Sequence, residues 1–237
     1  MKVDIRGIGW VTSSGVGSGR PGETFGFGPG RLPVLRSKLF LDVLHPRFGR
    51  FDSYAKAGFG AIALAMRSAG LDRWTHKRAI GMVAGTRRGC QEADLAYFTT
   101  VASHGGSLAS PNLFAYTLPG TMLGEASIQF GLTGPGFVVD DSQDHLAGVY
   151  AALDLMQGGF CETVVAGWCD VDSKLSEVDP QGPCGAVFFV LNKGSEAALW
   201  RWHNRELTWG TQQVADLVWL AHKVLADERD DVNGSER

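Results

Sequence analysis

The apolar positions of this chain repeat in two ways, and the alternation between them predicts its elements. Val3 to Val11 is rich in β-branched residues and alternates weakly, which predicts a first strand. Ser13 to Leu35, dense in Gly and Pro, reads as loop. Ala55, Phe59, Ile62, Met66 and Ala69 share one face at helical spacing, so a helix is expected behind an Asp52 cap and ahead of Gly70. Ala79 to Ala84 is a short apolar run of strand length. A helix around Glu92 to Val101 follows, then a loop from Ser110 to Pro119 and a helix from Thr121 to Phe130 closed by Gly131. Phe137 to Asp140 is the next strand. Leu146, Val149, Tyr150, Leu153 and Met156 mark a helix stopped by Gly158-Gly159. Thr163 to Ala166 and Ala186 to Leu191 are further strands. A strand at Ala198 to His203 and an amphipathic helix through Val214, Leu217, Val218, Ala221, Val224 and Leu225 complete the pattern.

Strands that are apolar throughout and alternate with helices imply an α/β domain whose sheet is covered on both faces. No repeat or linker divides the chain. Residues 1–192 form the main domain, 193–226 complete it, and 227–237 form an acidic tail expected to be disordered. That tail, with five acids and two bases, accounts for the whole net charge of −3, so the body is near neutral. A near-neutral body lacks the basic footprint that nucleic-acid binding requires. No apolar stretch reaches the length of a membrane span, and Met1 to Thr12 does not read as a signal peptide. The four cysteines (Cys90, Cys161, Cys169, Cys184) are widely spaced, which fits reduced thiols in the cytoplasm better than a zinc site or a disulfide scaffold.

Several segments, taken in order, resemble the thiolase-fold β-ketoacyl synthases. They are Ile5 to Gly9 with Val11-Thr12, Gly81 to Thr86, Ser110-Pro111 with Phe114, Phe130 to Pro135, Val164 to Gly167, and Gly185 to Leu191. Together they span residues 1 to 192 and are similar to a short, divergent subgroup close to the chain length factors of type II polyketide and aryl polyene systems. The resemblance implies a thiolase-like layered α-β-α fold, as a single half of the duplicated arrangement.

Two departures shape the functional expectation. In active members the Gly-Pro strand leads into a turn whose cysteine opens a helix, and the helix N-terminus stabilises its thiolate. The corresponding stretch here is Val139-Asp140-Asp141-Ser142-Gln143-Asp144-His145, with no cysteine. Counting from Gly134 puts Gln143 at the nucleophile position, whereas counting back from Gly159 puts Ser142 there. Glutamine at this place marks the chain length factors and certain decarboxylating loading domains. Asp140, Asp141 and Asp144 would also raise the pKa of a neighbouring nucleophile. The second departure is that the histidine-bearing second half of a full synthase has no counterpart, so condensation by this chain is not expected.

The implied role is a non-condensing accessory subunit in fatty-acid or polyketide synthesis, pairing with a ketosynthase or with itself through the strand at Gly134 to Asp140. Two alternatives stand beside it: a malonyl-carrier decarboxylase using Gln143, and a stand-alone module that binds an acyl group or its carrier. Ser142 with His145 suggests a nucleophile and base, but simple helix capping by the same residues is the plainer reading. The acids with His145 lack ligand spacing, so neither a metal nor another cofactor is expected. Arg87 and Arg88 are candidate contacts for an acyl carrier protein, against the plainer reading of a solvated face. Trp200, Trp202, Trp209 and Trp219 are too many large rings to remain exposed within twenty positions, and either fill a groove or meet a partner.

Overall fold

A computed structural model of the protein describes residues 1–20, 23–43, 45–102, 105–171 and 182–234, with side chains up to 227. Its elements, in chain order, are β1 (Lys2–Thr12), β2 (Gly15–Gly17), α1 (Ser53–Ser68), β3 (Gly81–Thr86), α2 (Gln91–Ala102), α3 (Pro111–Phe114), α4 (Thr121–Phe130), β4 (Gly136–Asp140), α5 (Ala147–Gln157), β5 (Thr163–Asp170), β6 (Gly185–Lys193), β7 (Trp200–His203), β8 (Glu206–Trp209), β9 (Gln212–Gln213) and α6 (Leu217–Gly234).

The strands form one mixed sheet in the order β4-β3-β5-β6-β1-β7-β8-β9, with β2 folded back on the end of β1. β4, β3 and β5 run parallel, so their carboxyl ends lie together; β6 and all later neighbours are antiparallel. Each central strand shares its residues between two cores, as a period of two requires. From β6, Ala186, Phe188 and Val190 join α1 and α4 on one face, while Val187, Phe189 and Leu191 join α5 and α6 on the other. This is why the central strands read as unbroken apolar runs.

Small residues set how closely the helices approach. Side chains at Gly9 in β1 would overlap the α1 backbone at Ala61 and Ala65, so α1 lies directly on the sheet. Asp52 caps this helix as expected, accepting from the Ala55 amide at 2.8 Å. Gly148 does the same for α5: any Cβ there would strike the carbonyl of Gly167. That contact presses the start of α5 onto β3 and β5 and fixes the turn that precedes it.

Three features depart from the expected layout. The Gly- and Pro-rich segment after β1 contains the short strand β2. The extension after residue 192 adds three strands to the sheet where one was expected, and α6 lies beside α5. The backbone of α6 is helical to Gly234, covering most of the acidic segment expected to be disordered. Lys223 and Asp227 pair one turn apart at 3.8 Å, and Trp209 donates to Asp227 at 3.0 Å, which hold the helix at the point where that segment begins. Of the four tryptophans in the extension, Trp200 and Trp202 are buried, Trp202 stacking on Tyr150 of α5. Trp209 and Trp219 pack against the edge of the same core. No helix among the described residues is long and apolar enough to cross a membrane.

Candidate functional site

Parallel strands bring their last residues to one end of the sheet, where open α/β sheets commonly hold ligands. Here Thr86, Asp140 and Asp170 end β3, β4 and β5 side by side. The buried carboxylate of Asp170 organises the turn after β3. It accepts from Thr86 Oγ1 at 2.7 Å, from the Arg88 amide at 2.9 Å and from the Arg87 amide at 3.0 Å. Thr86 Oγ1 in turn accepts from the Gly89 amide at 2.8 Å. The charge of Asp170 is thus satisfied by three donors, and the Arg87 and Arg88 side chains project from a turn it holds.

The turn between β4 and α5 is the second half of the site. Asp141 begins it, its amide donating to the Thr86 carbonyl at 3.1 Å. Its side chain is wholly buried, and Oδ2 bonds His145 Nδ1 at 2.7 Å. Oδ1 has no hydrogen-bond partner among the described residues. Gly85 leaves the room for this carboxylate, since a Cβ there would sit 3.0 Å from Oδ1. His145 has φ 60°, a left-handed conformation that costs a residue with a Cβ about 1–3 kcal/mol. The bond to Asp141, with the rings of Trp168 and Phe27 at 5.1 and 5.6 Å, holds it there.

His145, Arg87, Arg88, Trp168 and Asp170 line a cleft of about 290 Å³. Ser142 lies elsewhere. It lines a separate groove of about 400 Å³ on the outer side of α5, with Tyr150, Trp202 and Arg205, and its hydroxyl donates to Asp144. Ser142 and His145 therefore do not form a nucleophile and base. Gln143 is exposed on the same turn. Burial by neighbouring groups, with Asp144 and Glu206 adding charge, pushes the Tyr150 hydroxyl up to about 12, so it is a hydrogen-bonding group there at neutral pH.

Capping also differs from expectation. α5 begins only at Ala147, and its N-cap residue, Leu146, makes no side-chain cap bond. The Asp144 carboxylate instead accepts from the Leu146 amide at 3.2 Å, while the Asp144 carbonyl accepts from Leu217 at the start of α6 at 2.9 Å. The extension is thereby tied to the turn.

None of the cysteines is a poised nucleophile. All four are buried and none forms a disulfide. Burial and then Asp94 push Cys90 up to about 12, and burial raises Cys161 and, far more, Cys169. Among the described residues no group of three His, Cys, Asp or Glu side chains is arranged to hold a metal ion.

A different kind of surface lies at the β4 end of the sheet. Among the described residues β4 pairs only with β3, leaving its other side open. Phe137 on this strand is partly exposed, and Phe98, Phe114, Leu118 and Ile128 are exposed on or beside α2, α3 and α4.

Sequence reasoning had singled out Arg87, Arg88 and His145 separately, and the fold brings them to one cleft. Trp168, Asp170 and Phe27 were missed; the polar Asp170 closing an apolar strand was the one available signal.

A family model described as Beta-ketoacyl synthase, N-terminal domain, matches residues 38–182. No curated protein sequence matches the chain. Among solved structures, it is similar to the ishigamide ketosynthase/chain length factor, with 16% identity and a TM-score of 0.62, covering 81% of this chain and 58% of that one. It is also similar to a ketosynthase (ApeO) in complex with its chain length factor (ApeC) from Xenorhabdus doucetiae, with 16% identity and a TM-score of 0.58, covering 83% and 81%. A β-ketoacyl synthase from Burkholderia phymatum STM815 gives 17% identity and a TM-score of 0.55, covering 81% and 59%. The chain thus spans less than two thirds of the ishigamide and Burkholderia chains, but most of the Xenorhabdus one. At these identities the structures show the fold, which is the expected thiolase-like α/β arrangement.

Proposed function

Since this chain belongs to the β-ketoacyl synthase family through that family's N-terminal domain, we propose that it is a non-condensing accessory subunit, similar to a chain length factor, in cytoplasmic fatty-acid or polyketide biosynthesis. The observation that carries this reading is the open β4 edge with its exposed apolar flank. A five-residue strand with unpaired backbone groups and Phe137 beside it is a template for a partner strand, and its natural partner is the equivalent strand of a full ketosynthase. The absence of cysteine from 139–145, together with the burial of all four thiols, supports a role without acyl transfer to sulfur. The neighbours in which a ketosynthase is accompanied by a chain length factor supply the precedent for such a pair. Arg87 and Arg88 are then candidate contacts for an acyl carrier protein. A homodimer through the same edge is the competing assembly.

Native mass spectrometry of the tagged protein drawn from its own host tests this. A one-to-one complex with a full-length ketosynthase is expected; a homodimer without synthase would overturn the reading.

A further inference from the structure

The family reading leaves the cleft at His145 without a role, although Asp141, Trp168 and Phe27 all hold that ring. His145 is non-glycine in the left-handed region. Such strain persists only where surrounding contacts over-determine it, and it concentrates at functional sites. Here the constraint serves one atom. Asp141 accepts from Nδ1 at 2.7 Å, which places that ring proton on Nδ1 and leaves the Nε2 lone pair available. No described residue bonds Nε2, and the residue faces the cleft. Trp168 and Phe27 fix the ring plane.

The cleft's composition then narrows the chemistry. Among the described residues no serine, threonine or cysteine lines the cleft, so water is the reactant that a base there would activate. Asp170 is engaged by backbone amides and Thr86, which leaves the exposed guanidinium of Arg87 for an anionic ligand. Arg–carboxylate pairing is geometrically specific. The Trp168 ring supplies an apolar wall for a short acyl stem.

We propose that Asp141 and His145 form a general-base pair that hydrolyses acyl thioesters whose acyl chain ends in a carboxylate, with Arg87 binding that carboxylate. His145 Nε2 takes a proton from water as the water oxygen adds to the thioester carbonyl. The C–S bond then breaks, and the imidazolium returns the proton to the departing thiolate, giving a carboxylic acid and a thiol with no other reactant. His145 is the catalytic residue and Asp141 positions it. The charged groups around His145 are Asp141 and Asp144 on its own turn and Arg87, Arg88 and Asp170 across the cleft. Only the choice of a thioester rests on the assignment to acyl metabolism; the proton-transfer pair stands independently of any ketosynthase partner.

The test follows thiol release from succinyl-N-acetylcysteamine and from its uncharged butyryl analogue, using the purified full chain. Turnover of the succinyl thioester above the buffer rate is expected. His145→Asn keeps a residue tolerant of the left-handed conformation and should lose at least about 100-fold while melting at the native temperature. Asp141→Asn should lower kcat and leave KM for the succinyl substrate unchanged. Arg87→Ala should raise KM for the succinyl substrate about tenfold and leave the butyryl one unchanged. Buffer-rate turnover by the native chain, or equal turnover by a folded His145→Asn, overturns the proposal. Equal KM changes for both substrates in Arg87→Ala overturn the carboxylate assignment. Complex formation with a ketosynthase is read separately by mass, so either proposal can fail alone.

Discussion

The two ends of the sheet are built in opposite ways. At one end, β7 and β8 have four residues each and the edge strand β9 only two, Gln212–Gln213, while β7 buries Trp200 and Trp202. Short, polar edge strands are a recurrent protection against unwanted pairing. At the other end, β4 offers Gly-Phe-Val-Val-Asp with one side unpaired among the described residues and apolar side chains exposed nearby. One edge is closed by the chain's own extension; the other is open among the described residues and is where the proposed function puts a partner. Stability should therefore reside at the first end and association at the second.

Trp202→Ala attacks the closed end and should have the largest effect. The ring is almost wholly buried and stacks on Tyr150 at 5.3 Å, so its removal should destabilise the fold by about 3–5 kcal/mol in urea unfolding. A loss below about 1 kcal/mol would mean that the extension decorates the sheet and does not close it.

Asp52, at the head of α1 between the two ends, provides a measure that touches neither edge. Burial, with Glu92 adding to it, pushes its carboxyl up to about 6 from an ordinary value of 3.8. A group whose folded pKa is raised contributes stability that is fully present below about pH 4 and lost as pH rises through about 6. The native protein should therefore lose up to about 3 kcal/mol over that window, and Asp52→Asn, which keeps the cap acceptor, should not. Stability curves of both proteins between pH 4 and 8 check this; parallel curves would show that Asp52 stays charged without penalty. Neither variant should alter association.

Phe137→Asp is the smallest perturbation of the fold and the sharpest of the comparison. At a partly exposed edge it should change stability by no more than about 0.5 kcal/mol. It should nevertheless remove the ketosynthase from the complex seen by native mass spectrometry. Retention of the complex would move the interface away from β4.

The legibility of the sequence follows the same division. β3, β5 and β6 are covered on both faces, so their continuous apolar runs announced them, and α4 carried the helical period that its single buried face demands. β8 and β9 carry Glu206, Thr208, Gln212 and Gln213, and exist because β7 pairs with β8 and β8 with β9; no local pattern marks such strands. The resemblance placed the turn at 140–145 correctly between strand and helix but directed attention to Ser142 and Gln143. The residue the fold constrains is His145. Its backbone strain depends on Trp168 and Phe27, and the late start of α5 accompanies a bond from Leu217, seventy positions away. Neither follows from spacing along the turn.

The long antiparallel pairing of β1 with β6, which matches Ile5 with Leu191, also has a consequence for how the protein is made. At about 5–20 residues per second, a ribosome takes roughly 10–40 s to deliver the second strand after the first. During that time β1 is an apolar strand without its main partner, with α1 available to shelter one face of it. Folding of the sheet's centre must therefore wait until β6 has emerged, and β1 stays open to nascent-chain chaperones throughout that time.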